Sequence, residues 1–241
     1  MMNELSFRWL GLMIGNSRLH WAKFEGKTLE GTWDSEHAQI DFSILENLPL
    51  CIASVVPTQT EIWQRYPLAT LITLQDIPLK GLYSTLGIDR ALALWGAGQT
   101  YGFPCLVIDG GTALTFTAGT SDRTLIGGAI LPGLRLQLQS LETKTGALPQ
   151  VSLPDRLPPR WAINTPEAIQ SGVIYSLLAG LTDFITHWWT LFPDAQVVMT
   201  GGDGQLLHRY LSSEYPEIAQ KIRVASELIF WGMREIKLLD A

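Results

Sequence analysis

Cysteine and histidine are scarce in this chain of 241 residues, and their placement limits the chemistry that it can support. The two cysteines, Cys51 and Cys105, each lie in or beside an apolar run, which favours buried free thiols over a disulfide or a metal site. Because free thiols are typical of a reducing cytosol, we expect a cytoplasmic protein. The four histidines are scattered without metal-ligand spacing, which argues against a histidine-based metal centre.

Positive charge is too sparse to suggest a nucleic acid as the main partner. Lys and Arg number 17 against 23 Asp and Glu, so the formal net charge is −6. Phosphate backbones require clustered Lys and Arg, and this acidic composition therefore argues against nucleic-acid binding. An ATP site stays compatible with it, since such a site needs only local donors and a cation.

Long uninterrupted apolar runs and a secretory signal pattern are also lacking. The N-terminus has no basic start followed by an apolar block and a cleavage site, so we expect no signal peptide. The stretch 172–192 is long enough to span a membrane, but Asp183 and His187 interrupt it. Its apolar residues recur at helical spacing, which predicts a helix of a soluble protein and no membrane association.

Apolar residues make up 46% of the chain, and their spacing along the sequence predicts alternating strands and helices. In the first part we expect strands at 5–13, 19–24, 28–33, 51–56 and 70–74, and helices at 34–48, 58–66 and 87–100. In the second part we expect strands at 104–109, 113–118, 125–131, 197–200 and 222–224, and helices at 134–145, from Thr165 onward, 205–211 and 228–239. Residues 145–160 are rich in proline and polar residues, which predicts an exposed loop.

The two parts repeat one pattern of hairpin, third strand, helix and further strands. The stretch Met13–Ser17 overlays Asp109–Ala113 at an offset of 96 residues (109 − 13 = 96). This repeat predicts a duplicated α/β fold with halves at residues 1–102 and 103–241 and a ligand cleft between them.

The stretch Asp109–Thr115 has the residue types of a phosphate-binding turn. A carboxylate ends a buried strand, and two glycines then let the backbone approach a ligand closely. Backbone N–H groups in such a turn bind anions, and the carboxylate can hold a cation. The alternative is an ordinary Gly-Gly hairpin with a surface aspartate. The equivalent turn Gly15–Ser17 is weak evidence for a phosphate-binding loop when taken alone, because such turns are common. Its equivalence to the second turn strengthens that interpretation.

A charged pair, Asp89-Arg90, follows Gly87 at the start of an otherwise apolar helix. Asp89 either caps this helix or acts as a general base for a substrate hydroxyl, with Arg90 binding an anion. Glycines recur in Gly127–Gly133 and Thr200–Gly204. They indicate close approach of a ligand or of packed backbone, or simple turns.

In their order and spacing these motifs resemble the type III pantothenate kinases, from about Leu12 to Leu207. The most specific motifs are Gly87–Arg90, Asp109–Thr115, Gly127–Gly133, and Asn164–Ile169 followed by Gly172. The resemblance implies the duplicated actin-like (ribonuclease H-like) ATPase fold of the sugar kinase, Hsp70 and actin superfamily. It also implies transfer of the γ-phosphoryl group of ATP to pantothenate, a homodimer, Mg²⁺ with ATP, and a monovalent cation, K⁺ or NH₄⁺.

The same resemblance implies a role for each matching residue. Asp89 would be the general base, and Asp109 would bind the monovalent cation. Pantothenate would be held by Gly87, Ile88, Asp89, Arg90 and Tyr83, and by Thr165 of a second subunit. ATP would be held by Met13, Ile14, Gly15, Asn16, Ser17, Arg18, Gly111 and Thr112.

The sequence departs from the family pattern in two places. Met13 stands where the family has aspartate, and a thioether is a poor ligand for Mg²⁺. The spacing from Tyr83 to Gly87 is shortened. Two alternatives therefore stay open: a weakened or inactive nucleotide-binding regulator, and a kinase for another small hydroxyl substrate. For the homodimer we expect an exposed apolar face at Ile174–Trp188 to form part of the contact.

Overall fold

The computed structural model describes residues 7–37 and 42–237, which form two compact units. The first unit comprises the described residues of Met1–Tyr101, Arg123–Leu125 and Glu227–Ala241. The second comprises Gly102–Asp122 and Ile126–Ser226.

Within the described residues the chain forms ten strands and seven α-helices. The strands are β1 (Arg8–Ile14), β2 (Leu19–Glu25), β3 (Thr28–Ser35), β4 (Leu50–Ser54), β5 (Ala69–Leu71), β6 (Cys105–Gly110), β7 (Ala113–Gly119), β8 (Leu125–Pro132), β9 (Gln196–Thr200) and β10 (Arg223–Val224). The helices are α1 (Pro57–Trp63), α2 (Ile88–Tyr101), α3 (Leu134–Lys144), α4 (Thr165–Leu191), α5 (Gly204–Glu214), α6 (Pro216–Ala219) and α7 (Leu228–Lys237). Most bounds lie within a few residues of those expected from the sequence.

Two five-stranded sheets share one topology. The first has the order β3-β2-β1-β4-β5, and the second has β10-β9-β6-β7-β8, which is the same order written from the other edge. The first strand of each sheet pairs antiparallel with the next strand and parallel with the fourth. The predicted duplication is therefore confirmed at the level of strand order and direction.

The two hairpins also match at the expected offset. Strand β1 ends at Ile14 and β6 ends at Gly110, which are 96 residues apart (110 − 14 = 96). Ile14 pairs with Leu19 across four loop residues, whereas Gly110 pairs with Leu114 across three. The second turn is thus tighter, as its paired glycines permit.

The core of the first unit lies on both faces of β1. Leu10, Leu12 and Ile14 pack in one apolar cluster with aromatic residues of β2 and α1. On the opposite face, a side chain at Gly11 would meet Phe230 and Met233 of α7. Helix α7 therefore belongs to the first unit. The linear division at residue 102 had assigned this helix to the second half.

Helices α2 and α7 pack at very short range. A Cβ at Gly96 would lie 2.1 Å from the carbonyl oxygen of Leu228, and one at Gly232 would lie 2.3 Å from that of Leu92. Only glycine fits at such a backbone-to-backbone contact. No local sequence pattern indicates this pairing, because α7 follows α2 by more than a hundred residues.

Helix α4 is the central helix of the second unit. It has the length and composition of a membrane-spanning helix, with 44% of its most apolar window buried. Its buried residues include Ile174, Leu178, Leu181, Ile185 and Trp188, and they pack into the core of this unit. This packing is typical of a core helix. It also contradicts the expectation that Ile174–Trp188 presents an exposed apolar face to a second subunit.

The helix expected at 34–48 is wrong. Strand β3 continues to Ser35, and a short 3₁₀ turn covers Phe42–Leu45. Cross-strand contacts explain the longer strand: Trp33 stacks on Trp21, and Asp34 Oδ1 lies 2.7 Å from His20 Nδ1. Asp34 is therefore a strand residue, not a helix cap. The expected ends at residues 5 and 239, and residues 38–41 of the expected helix, lie outside the described residues.

Candidate active site

Asp89 lies in the first turn of α2, in the first unit. Its Oδ1 accepts a hydrogen bond of 2.8 Å from the backbone N–H of Arg90. A Cβ on Gly87 would lie 2.4 Å from the same oxygen, so glycine is required there for this carboxylate position. Asp89 is the second residue of α2 and not its N-cap, but it does accept from an N–H of the first turn, where N–H groups have no partner within the helix.

The electrostatics of Asp89 differ from those of an exposed cap. Burial raises the pKa of Asp89 above the ordinary value of 3.8 and is the largest effect. The backbone N–H and the positive charge of Arg90 lower the pKa by smaller amounts. A half-buried carboxylate with a raised pKa is better suited to accept a proton than an ordinary surface aspartate.

Arg90, the residue after Asp89 in the sequence, contacts Tyr83. Arg90 is only 7% exposed, which is unusual for an arginine. Its Nη1 donates to the hydroxyl of Tyr83 over 3.2 Å. The contact places the tyrosine in this cluster despite its shortened spacing to Gly87.

The first turn, residues 15–18, is mostly exposed and internally braced. The N–H of Gly15 donates to the carbonyl of Arg18 over 3.0 Å, and Nη1 of Arg18 lies 3.7 Å from Oδ2 of Asp34. Asn16 and Ser17 are exposed, so their polar groups can meet a ligand.

Met13 precedes this turn and is buried. It is only 2% exposed and pairs with His20 of β2 and Ala53 of β4. Strand alternation places it on the face of the sheet that also carries Gly11. A buried thioether offers no oxygen ligand to a cation, so Met13 cannot take the role of the aspartate that the family has at this position.

In the second unit, three glycine motifs meet at one hairpin. The N–H of Gly133, before α3, donates to the carbonyl of Thr112 over 2.9 Å. The N–H of Asp203, before α5, donates to the carbonyl of Gly110 over 2.8 Å. A Cβ on Gly133 would lie 2.1 Å from the carbonyl oxygen of Gly111. Gly133 and Gly201 thus serve close backbone contact, one of the interpretations that the sequence left open.

Asp109 is the next-to-last residue of β6 and lies beside this hairpin. Its Oδ1 would lie 2.2 Å from a Cβ on Gly201, which has φ of +86°, and 3.6 Å from one on Gly111. Gly111 is half-buried and Thr112 is exposed at the turn. The carboxylate therefore lies between the hairpin and the end of β9, and glycine leaves room for it on both sides.

A single carboxylate is compatible with Mg²⁺ in a nucleotide site. The described residues contain no group of three or more His, Cys, Asp or Glu side chains that could hold a metal alone. Mg²⁺ usually takes one or two carboxylates together with substrate phosphates and water. Asp109 fits this pattern, whereas Met13 does not.

Thr165 is the first residue of α4 and is exposed. The N-cap of this helix is Asn164, whose Oδ1 accepts from the N–H of Glu167 over 3.0 Å. Thr165 lies in the second unit, with Asp109, Gly111 and Thr112, whereas Asp89 lies in the first.

Sequence reasoning missed the ion pair between Arg135 and Asp203 of the second unit. Nε of Arg135 donates to Oδ1 of Asp203 over 2.9 Å. These residues are 68 positions apart, and nothing in either local sequence indicates the other.

The topology of both units defines the class of the protein as an actin-like, ribonuclease H-like ATPase fold. A solved structure described as a Baf-family transcriptional activator of Campylobacter jejuni matches with a TM-score of 0.69 at 23% identity, covering 96% of this chain and 98% of that one. MreB 5 of Spiroplasma citri, bound to AMPPNP, matches with a TM-score of 0.50 at 11% identity, covering 98% and 97%. At these identities the likeness concerns the fold alone.

The sequence comparisons are more specific. The family profile of type III pantothenate kinases matches residues 9–187. A type III pantothenate kinase of Nostoc sp. is 52% identical, covering 95% of this chain and 94% of that protein. Another, of Synechocystis sp., is 49% identical, covering 97% and 92%. The chain belongs to the type III pantothenate kinase family.

Proposed function

We propose that this protein phosphorylates pantothenate with ATP to give 4′-phosphopantothenate, the first step of coenzyme A biosynthesis, in the cytoplasm. Family membership supports the reaction class. The observation that carries the proposal is the half-buried carboxylate of Asp89, whose pKa is raised by burial at the start of α2.

Asp89 acts on the substrate hydroxyl. Its carboxylate accepts the hydroxyl proton while the hydroxyl oxygen bonds to the γ-phosphorus, and the bond from that phosphorus to the β-bridging oxygen breaks to release ADP. Because the transition state of phosphoryl transfer is loose, positioning and charge stabilisation contribute most of the rate. The general base adds about 10²–10⁴-fold.

Arg90 and Tyr83 hold the substrate in this proposal. Pantothenate carries a carboxylate, and a guanidinium is well suited to bind one. The hydroxyl of Tyr83 accepts from Nη1 of Arg90 and so restricts where the guanidinium can point. Gly87 and Ile88 complete the substrate loop.

ATP contacts the exposed part of each turn. In this proposal Met13, Ile14, Gly15, Asn16, Ser17 and Arg18 form one wall of the ATP site, and Gly111 and Thr112 form the other. The polar groups that these turns expose suit phosphate oxygens. Asp109 holds a cation beside them, in the family a monovalent one, K⁺ or NH₄⁺. Mg²⁺ bound with ATP neutralises charge on the phosphates.

The proposed working form is a homodimer in which Thr165 reaches pantothenate of the partner subunit. The apolar contact cannot be the buried face of α4, and exposed Trp161 and Ile163, just before that helix, are better candidates. Trp161 is 89% exposed, yet its loop is fixed: Ser171 Oγ donates to the carbonyl of Arg160 over 2.7 Å. Large apolar groups held in water on a fixed loop are typical of an interface.

Trp161→Ser tests this assembly. We expect a monomer in analytical ultracentrifugation and a lower rate with pantothenate, while Leu68→Ser, an exposed leucine of the first unit, serves as the control. A variant that stays dimeric, or a monomer with the full rate, would contradict the proposed contact.

A coupled ADP-release assay tests the reaction itself. With Mg-ATP and K⁺, the purified protein should release ADP only when pantothenate is added. ATP binding without turnover would favour the inactive regulator that Met13 suggests. Turnover with a different small alcohol, but not with pantothenate, would identify a kinase for another substrate.

A further inference from the structure

Two charged side chains of the second unit, Arg135 and Asp203, join the starts of two helices. Arg135 is the second residue of α3, and Asp203 is the N-cap residue of α5. The hydrogen bond from Arg135 Nε to Asp203 Oδ1 spans 2.9 Å. Because each residue lies at the start of its helix, their contact fixes the distance between the two helix starts.

Both helix starts hold the same hairpin. Gly133, directly before α3, binds the carbonyl of Thr112, and Asp203 binds the carbonyl of Gly110 through its own N–H. Each side of the hairpin is therefore tied to one helix start. A change in the distance between the helix starts must move or release one side of the hairpin.

Asp203 does not have the usual role of an aspartate at an N-cap. Its side chain makes no capping hydrogen bond to α5, and its φ of −99° and ψ of 1° lie outside the extended region typical of N-caps. The carboxylate, whose side chain is only 8% exposed, accepts from Arg135 instead. The local geometry indicates that Asp203 holds Arg135 rather than capping its helix.

Arg135 also balances a charge that would oppose a nucleotide. A buried carboxylate beside a phosphate-binding hairpin repels phosphate unless a cation neutralises it. The bond to Asp203 uses the Nε–H, one of five guanidinium donors, and the side chain of Arg135 remains 64% exposed. The pair is thus neutral overall, which removes the repulsion, and it leaves guanidinium N–H donors exposed at the surface of this unit.

We propose that Arg135 and Asp203 form a positioning pair for ATP, which fixes the hairpin at residues 110–112 and cancels the carboxylate charge beside it. The inference rests on the proposed function, because it requires that this hairpin binds the phosphates of ATP. The pair touches no reacting atom, so it sets the affinity for ATP rather than proton transfer at Asp89.

Three variants test the pair: Arg135→Met, which keeps the apolar part of the side chain, Asp203→Asn, which keeps its shape, and the double variant. The control is Arg156→Met, an exposed arginine in the loop before α4. Calorimetry gives the Kd of Mg-ATP without pantothenate, steady-state kinetics give both KM values, and thermal unfolding checks the fold.

We expect Arg135→Met to weaken ATP binding by at least about tenfold, since it leaves a buried carboxylate without its charge-assisted partner. The KM for pantothenate stays within about twofold, and the double variant binds ATP more tightly than Arg135→Met, because an uncharged amide needs no counter-charge. A merely structural role would change stability without this rescue.

Parental ATP affinity in a folded Arg135→Met overturns the inference, and so does a double variant with no gain over the single one. If Arg135→Met does not fold, Arg135→Lys decides: a several-fold loss of ATP affinity supports the pair, because lysine lacks the Nε donor, and parental affinity overturns it. A parent protein that does not bind Mg-ATP refutes the proposed function as well, which separates the two failures.

Discussion

Replacing Asp89 with asparagine separates the two roles that this side chain can have. Asparagine has nearly the same size, and its carbonyl oxygen can accept the hydrogen bond that Arg90 N–H donates over 2.8 Å. Asparagine also serves as a helix cap about as well as aspartate. A purely structural Asp89 therefore predicts an almost normal enzyme, whereas a general base predicts that kcat falls by about 10²–10⁴-fold.

The stability of Asp89→Asn gives an independent readout with a definite sign. Burial raises the pKa of Asp89 in the folded protein above its ordinary value of 3.8, so the folded state binds this proton more tightly than the unfolded state. The contribution of Asp89 to the free energy of unfolding then falls as pH rises from the unfolded pKa through the folded pKa. At neutral pH, Asp89→Asn should be as stable as the parent or more stable, and the difference should shrink in acid.

The pH dependence of the rate completes the test. A base must be deprotonated to act, so the parental kcat/KM, which reports pKa values of the free enzyme, should fall in acid with a midpoint above 3.8, and Asp89→Asn should lack that step. Asp155→Asn, an exposed aspartate of the second unit, is the control for a change of net charge. Parental kcat in Asp89→Asn, or a loss of rate that merely follows unfolding, would refute the catalytic role.

Three further substitutions test the nucleotide side. Gly133→Ala should cost about 1–3 kcal/mol of stability and raise the KM for ATP, because its Cβ would meet the Gly111 carbonyl oxygen at 2.1 Å. Thermal unfolding and steady-state kinetics measure the two effects. The control is Gly146→Ala, which should show neither change, because a Cβ there meets nothing within 4 Å. Asp109→Asn should raise the K⁺ concentration needed for half-maximal rate by about tenfold, which a potassium titration measures; an unchanged requirement would place the cation elsewhere. Met13→Asp should lower the Mg²⁺ concentration needed for activity, measured by a magnesium titration.

The succession of strands and helices along the chain, and its repeat, could be predicted because they depend on local signals. Alternating apolar residues, turn glycines and the matching stretches at Met13–Ser17 and Asp109–Ala113 define both hairpins, and the structure has both hairpins there. Each of these signals lies within a few residues of the structure it produces.

Features that depend on distant residues could not be predicted in the same way. The helix expected after Asp34 was wrong because contacts across the sheet to Trp21 and His20 prolong β3. Helix α7 joins the first unit through glycine contacts with α2, which no local pattern indicates.

In the candidate site, too, features that depend on neighbouring residues could be predicted, and features that depend on distant residues could not. The pattern around Asp89 could be recognised because Gly87, Asp89 and Arg90 lie within four residues of the sequence, and burial then explains the raised pKa of Asp89. The apolar spacing of α4 predicted a helix correctly but could not tell which face was covered. Arg135 and Asp203 could be paired only by the fold, since two separate helix starts must converge on one hairpin.

Met13→Asp shows how burial can decide between two interpretations of a substitution. Met13 is 2% exposed, so an aspartate there loses its hydration and is unfavourable unless a cation compensates. If the site faces the metal, Met13→Asp should unfold at a lower temperature than the parent without Mg-ATP and should regain stability with it, while needing less Mg²⁺ for turnover. Met13→Leu, which conserves volume, gives the baseline for disturbing the packing. If Mg-ATP does not raise the unfolding temperature of Met13→Asp, or if the variant needs more magnesium, residue 13 is part of the apolar core. Cation binding must then rest on Asp109 and the phosphates of ATP.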